Sequence, residues 1–146
     1  PKRPGIYCLL NNSYNIYSYD YCQKFLNDIV NSIPEKYYLQ TEIILKLKKD
    51  YNNIDPNYRV LVERIVRNKK IRLITDISPE SIIEVSDATI SIPFTSTAVT
   101  SYNKNKETIY YDPSGKLTKN NCLEKNITLI SSQKNLKFWI LNILNK

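Results

Sequence analysis

Residues 87–102 read DATISIPFTSTAVTSY, and how this stretch is read decides the fold. From Thr89 to Phe94, β-branched, small and apolar residues alternate over a strand's length, the pattern that fits a pleated, half-buried surface. Pro93 has no N–H to give a sheet ladder, so the strand is expected to end at Pro93 or Phe94. Three hydroxyl residues follow, Thr95, Ser96 and Thr97, and then Ala98, Val99 and Tyr102. That order puts the hydroxyls on the N-cap and first turn of a helix. A helix start has unpaired N–H groups and the positive end of the helix dipole, so hydroxyls added there make a cradle suited to phosphate. Any one of the three read alone is an ordinary N-cap; three in a row after a buried-type strand bring in the phosphate reading.

Outward from this stretch, strands and helices alternate. Upstream, Ile71 to Ile74 is a short strand, and Ser78-Pro79-Glu80 opens a helix through about Val85 with Ile82, Ile83 and Val85 facing inward. The loop between them carries Asp76 at the strand's carboxyl end, the edge where open parallel sheets bind ligands. Asp55-Pro56, an N-cap before Pro, starts an earlier helix with Tyr58, Leu61, Val62, Ile65 and Val66 inward and Arg59, Glu63, Arg64 and Arg67 on a solvated face. Before it, Tyr38 to Leu47 is a largely apolar run expected as a strand buried on both faces. That run ends in Lys46-Leu47-Lys48-Lys49-Asp50. Lys46 and Lys48 point the same way along a strand; Lys49 reads as solvated, whereas Lys46, bracketed by Leu45 and Leu47, is a candidate to aim a charge into a cleft.

At the amino-terminal side, Ile6 to Leu10 reads as a first strand, and Asp20 caps a helix to about Ile33 with Tyr21, Phe25, Ile29 and either Cys22 or Leu26 on one face. Downstream, Thr108 to Tyr111 is a strand and Asp112-Pro113-Ser114-Gly115 a turn. Ile127 to Ser131 is the last strand, and Asn135 to Asn145 a closing helix containing Leu136, Phe138, Trp139, Ile140, Leu141 and Ile143. The alternation implies an α/β, Rossmann-like three-layer domain whose mostly parallel sheet is covered on both faces. Right-handed crossovers then bring the strands' carboxyl ends to one edge, gathering Lys46 and Lys48, the Asp76 loop and the hydroxyl turn.

Composition narrows the chemistry. The 146 residues fit one domain with a real core, and no apolar run approaches the ~18 residues of a membrane span. Lys and Arg outnumber Asp and Glu by 21 to 14, a net charge of +7, so an anionic partner is expected: nucleotide phosphate, nucleic acid or an acidic membrane surface. With no His, no Ser-His-Asp triad and no His general base or metal ligand can be built. Two glycines exclude a P-loop and a dinucleotide fingerprint, and three scattered cysteines argue against a disulfide framework or a structural zinc, consistent with a reducing cytoplasm. The chain opens at Pro1 and has no Met, so a piece of a longer protein is expected.

The succession of LKLKKD (45–50), DPNYRVLVERI (55–65), LITDISPESIIEVSDATISIPFTSTA (73–98) and IYYDPSG (109–115) resembles the nucleotide-sugar-binding half of bacterial polysaccharide-biosynthesis proteins named for a Pro-Phe-Thr-Ser motif. The motif stands at Pro93-Phe94-Thr95-Ser96, and the likeness covers about Ile6 to Gly115. More distantly the chain is similar to the C-terminal half of two-domain (GT-B) glycosyltransferases of capsule synthesis, including bacterial sialyltransferases. The resemblance implies that a basic motif and a later Ser/Thr pair hold the donor nucleotide: Lys46 and Lys48 for the first, Thr95, Ser96 and Thr97 for the second. Many relatives have His-Pro at the basic motif; here lysine would supply the charge. It further implies a nucleotide-sugar substrate, no cofactor and no bound metal, and a cytoplasmic site with peripheral association at the inner membrane. Catalytic base and acceptor site would come from a preceding domain, so this stretch alone is expected to bind nucleotide and transfer nothing.

Two other readings stay open at the level of sequence. A basic α/β nucleic-acid module would draw on the +7 charge and 12 tyrosines, but the cations are spread over helix backs and loops and no nucleic-acid signature is present, which disfavours it. The other is a non-catalytic partner domain in a surface-sugar assembly.

Overall fold

The computed structural model describes residues 19–46, 56–67, 71–74, 76–117 and 126–146. Its elements are α1 (Tyr19–Asn31), a 3-10 turn (Glu35–Tyr37), β1 (Ile43–Lys46), α2 (Pro56–Val66), β2 (Ile71–Ile74), α3 (Pro79–Val85), β3 (Ala88–Ser91), α4 (Ser96–Asn103), β4 (Glu107–Tyr111), β5 (Thr128–Ile130) and α5 (Gln133–Leu144). The expected strand at Ile6 to Leu10, the inward placement of Tyr58 and the position of Lys48 lie outside the described residues.

Among the described residues every strand pairing is parallel. β1 pairs with β2, Ile43 opposite Ile71, and β4 lies between β3 and β5, with Ile90 opposite Ile109 and Tyr111 opposite Ile130. Parallel neighbours need a crossover, and α4 supplies it between β3 and β4. Alternation along β4 then divides the layers. Ile109 and Tyr111 join Cys22, Phe25, Leu26 and Ile29 of α1, Leu61 and Ile65 of α2, and Leu136 and Ile140 of α5 in the main core. Tyr110 turns the other way and packs on Ala98 of α4. Thus α1, α2 and α5 cover one face, while α4, with α3 against it, covers the other. This is an α/β, Rossmann-like three-layer domain.

Polar side chains fix α4 in place. The fully buried Ser101 Oγ lies 2.8 Å from both Thr89 Oγ1 of β3 and Thr108 Oγ1 of β4. The helix ends with Asn105 in the left-handed region (φ 59), the Asn105 N–H donating to Tyr102 O (2.9 Å) and the Lys106 N–H to Ser101 O (3.1 Å). Asn tolerates this C-terminal position better than most residues.

Three elements differ from expectation. β1 starts only at Ile43, because local i to i+3 bonds (Tyr37 N–H to Pro34 O, Tyr38 N–H to Glu35 O) draw the backbone before it into turns; Leu39 there is fully exposed, and the expected end at Leu47 lies outside the described residues. β3 stops at Ser91, before Pro93, because the chain turns at Pro93 and Phe94. Val85 is exposed although expected inward. At about 100° per residue it sits well off the arc centred between the buried Ile82 and Ile83. Among the described residues, no helix is long and apolar enough to cross a membrane.

Candidate functional site

β3 leaves the sheet through Ile92-Pro93-Phe94-Thr95. Pro93 is fully buried and Phe94 takes φ 64, a left-handed conformation that costs a bulky residue about 1–2 kcal/mol. Its ring packs on Tyr110, centroids 5.1 Å apart, which offsets that cost. The turn swings the chain back over the sheet, so that Thr95 (φ −83, ψ 149) becomes the N-cap of α4. Its hydroxyl makes no capping hydrogen bond, whereas the N-cap residues Ser78 and Ser132 accept from Ser81 N–H and Asn135 N–H. Thr95 and Thr97 are half-buried and Ser96 is exposed, and their hydroxyls make no hydrogen bond among the described residues. Thr100, one turn on, is different: its hydroxyl donates to Ser96 O at 3.2 Å. The start of α4 therefore offers free N–H groups, the positive dipole end and three free hydroxyls together.

Because Ser91 pairs with Tyr110, the turn after β4 runs beside this one at the same sheet edge. It is held by Asp112, which has no exposure. Oδ1 accepts from Tyr21 OH (3.0 Å), Ser114 N–H (3.0 Å) and Ser114 Oγ (2.6 Å), and Oδ2 accepts from Leu117 N–H (2.9 Å). Gly115 completes the turn at φ 69, where an added Cβ would lie 3.4 Å from Ser131 O. A reciprocal tie runs the other way. Tyr111 OH donates to Oδ2 of the buried Asp28 (2.6 Å), which also receives Lys24 Nζ (2.5 Å). Two buried Tyr–Asp pairs thus tie helix α1 to the end of β4 and to the turn that follows it, a feature absent from the sequence reading. The one available signal was a carboxylate, Asp28, two helical turns beyond Tyr21 and so on the buried stripe.

Tyr111 titrates well above the ordinary tyrosine range, first because it is buried, then because it donates to the Asp28 carboxylate, with the charges of Asp28 and Asp112 adding. The fold thus holds a proton that the unfolded chain gives up near pH 10, so this contribution is intact below about pH 10 and is lost as pH rises further. Urea unfolding at about pH 9 and about pH 11 is expected to show stability falling with a slope of up to ~1.4 kcal/mol per unit from this group. Tyr111→Phe should flatten that fall.

The other candidates sit on the other strand pair. Lys46 ends β1 half-buried and in register with Ile74, two residues before the exposed Asp76, so Lys46 and Asp76 come to one end of that pair. Thr95, Ser96 and Thr97 sit together at the carboxyl end of the three-stranded sheet. A wide-open depression of about 450 Å³ lined by Tyr102, Asn103, Asn105, Lys106 and Glu107 lies at the opposite end, where α4 finishes and β4 begins. Parallel sheets do not usually bind ligands at that edge. Among the described residues, no three His, Cys, Asp or Glu side chains converge as metal ligands would.

A family model for polysaccharide biosynthesis PFTS motif proteins matches residues 1–140 of the 146. The chain belongs to this family. No curated protein and no solved structure matches it. In this PFTS motif protein the four letters stand at Pro93-Phe94-Thr95-Ser96, and each residue has a distinct physical role. Pro93 is buried past the end of the sheet, Phe94 makes the left-handed turn and anchors on Tyr110, and Thr95 and Ser96 open α4. Family membership places the protein in polysaccharide biosynthesis.

Proposed function

We propose that this PFTS motif domain binds the nucleotide-sugar donor of a GT-B-type glycosyltransferase in bacterial surface-polysaccharide synthesis. The observation that carries the reading is the start of α4: an N-cap without its capping bond and three unpartnered hydroxyls at the carboxyl edge of a parallel sheet. Thr95, Ser96, Thr97 and the first N–H groups of α4 receive a donor phosphate. In this reading Lys46, Lys48 and the Asp76 loop, contributed from the β1–β2 side of the chain, complete the nucleotide site. During transfer the helix start takes up charge as the sugar's bond to phosphate breaks. The acceptor and its base belong to a second domain, and the reaction takes place in the cytoplasm, at the inner face of the membrane.

Thermal titration with CMP, UDP and GDP tests this, since a ligand that binds only the folded state raises its stability, by about 2.7 kcal/mol at a hundred times Kd. One nucleotide should raise the midpoint, and Ser96→Ala should weaken its binding by about tenfold through loss of one charge-assisted hydrogen bond. The affinity should also fall only shallowly with salt, because few phosphates are engaged. Absence of any shift at about millimolar nucleotide overturns the reading.

A further inference from the structure

Ser91, the last residue of β3, is only 7% exposed, and its hydroxyl has no hydrogen-bond partner among the described residues. The neighbouring hydroxyls of Thr89, Ser101 and Thr108 meet one another, whereas the Ser91 hydroxyl is left over and still within reach of solvent, and so of a ligand. Strand alternation puts Ser91 on the face that carries Thr89, beneath α4. Thr89 lies under Ser101. Two residues along a strand advance about 6.6 Å, which is between four and five residues of helix, so Ser91 lies beneath the first turn of α4. Its register partner Tyr110 agrees, packing against Phe94 and Ala98.

We propose that the Ser91 hydroxyl binds a phosphate oxygen of a nucleoside phosphate, approaching the start of α4 from the sheet while Thr95, Ser96 and Thr97 approach from the turn. The proposal rests on the donor-site reading above. A hydroxyl that no group of the fold engages, in a side chain otherwise packed beneath the start of α4, is available to a ligand at that edge. Ser91 keeps its hydroxyl unmet until ligand arrives.

Ser91→Ala separates the two effects in one titration with CMP, UDP and GDP. The ligand-free melting midpoint should stay level, because the hydroxyl holds no partner in the fold, while affinity for the nucleotide that binds wild type falls about tenfold. Unchanged affinity in Ser91→Ala, with wild type still binding, overturns the Ser91 assignment and leaves the donor site standing. A ligand-free midpoint lowered by several degrees also overturns it, since the hydroxyl would then be holding the fold together. If wild type binds none of the three nucleotides, the donor-site reading and the Ser91 assignment fall together.

Discussion

Asp112→Ala is expected to lower the unfolding free energy by about 3–5 kcal/mol, measured by urea or thermal unfolding. The carboxylate has no exposure and receives four donors from three residues, one of them on α1. Each unmet buried donor costs about 1–3 kcal/mol. The sum is tempered because Ser114 and Leu117 are half-buried and recover water, whereas the buried Tyr21 hydroxyl does not. Against a usual domain stability of about 5–15 kcal/mol, such a loss leaves little reserve. Asp112→Asn keeps the shape and one acceptor but turns an amide N–H₂ toward a donor, so it should lose less, about 1–2 kcal/mol. Amide exchange gives the local signature: Ser114 and Leu117 should open faster than the β3 and β4 ladder. A change under about 1 kcal/mol in Asp112→Ala would show that the post-β4 turn is held by its backbone and Gly115 alone.

Leu136→Ala and Phe138→Ala should differ in the opposite order from side-chain size. Leu136 has no exposure and lies in the main core with Phe25, Leu61 and Tyr111, so truncation leaves a cavity and costs about 2–5 kcal/mol. Phe138 is 67% exposed, and removing its ring should cost under about 0.5 kcal/mol. The geometry behind this is simple. Leu136 and Ile140, four apart, face the core together, and Phe138 midway between them is turned to the far side of α5. Equal losses in the two variants would mean that α5 is docked on another face.

Element types were legible from the sequence because local signals agree with the tertiary outcome. Ser78-Pro79 starts α3 with Ser78 as a working cap, and Asp112-Pro113-Ser114-Gly115 forms its turn with glycine at positive φ. The alternation of strands and helices likewise leads to parallel pairing, since consecutive strands bridged by a helix have little other choice. Strand ends were less legible. Nothing local tells Ile92 and Pro93 that Phe94 will adopt φ 64; that conformation is affordable only because Tyr110, from a different strand, receives its ring.

The sequence by itself determined the α/β class, the helix start that follows β3 and the PFTS letters themselves, because these rest on local patterns of neighbouring residues. Only the tertiary structure decided which hydroxyls are spent on the fold and which are left over. Thr89, Ser101 and Thr108 look like the hydroxyls of the PFTS turn when read in sequence, yet packing α4 on β3 and β4 brings them together. Thr95, Ser96, Thr97 and Ser91 gain no such partner. Nor could chain order pair Tyr21 with Asp112 or Asp28 with Tyr111, which are 91 and 83 residues apart. A hydrogen bond depends on distance in space, and only the packed layers set it.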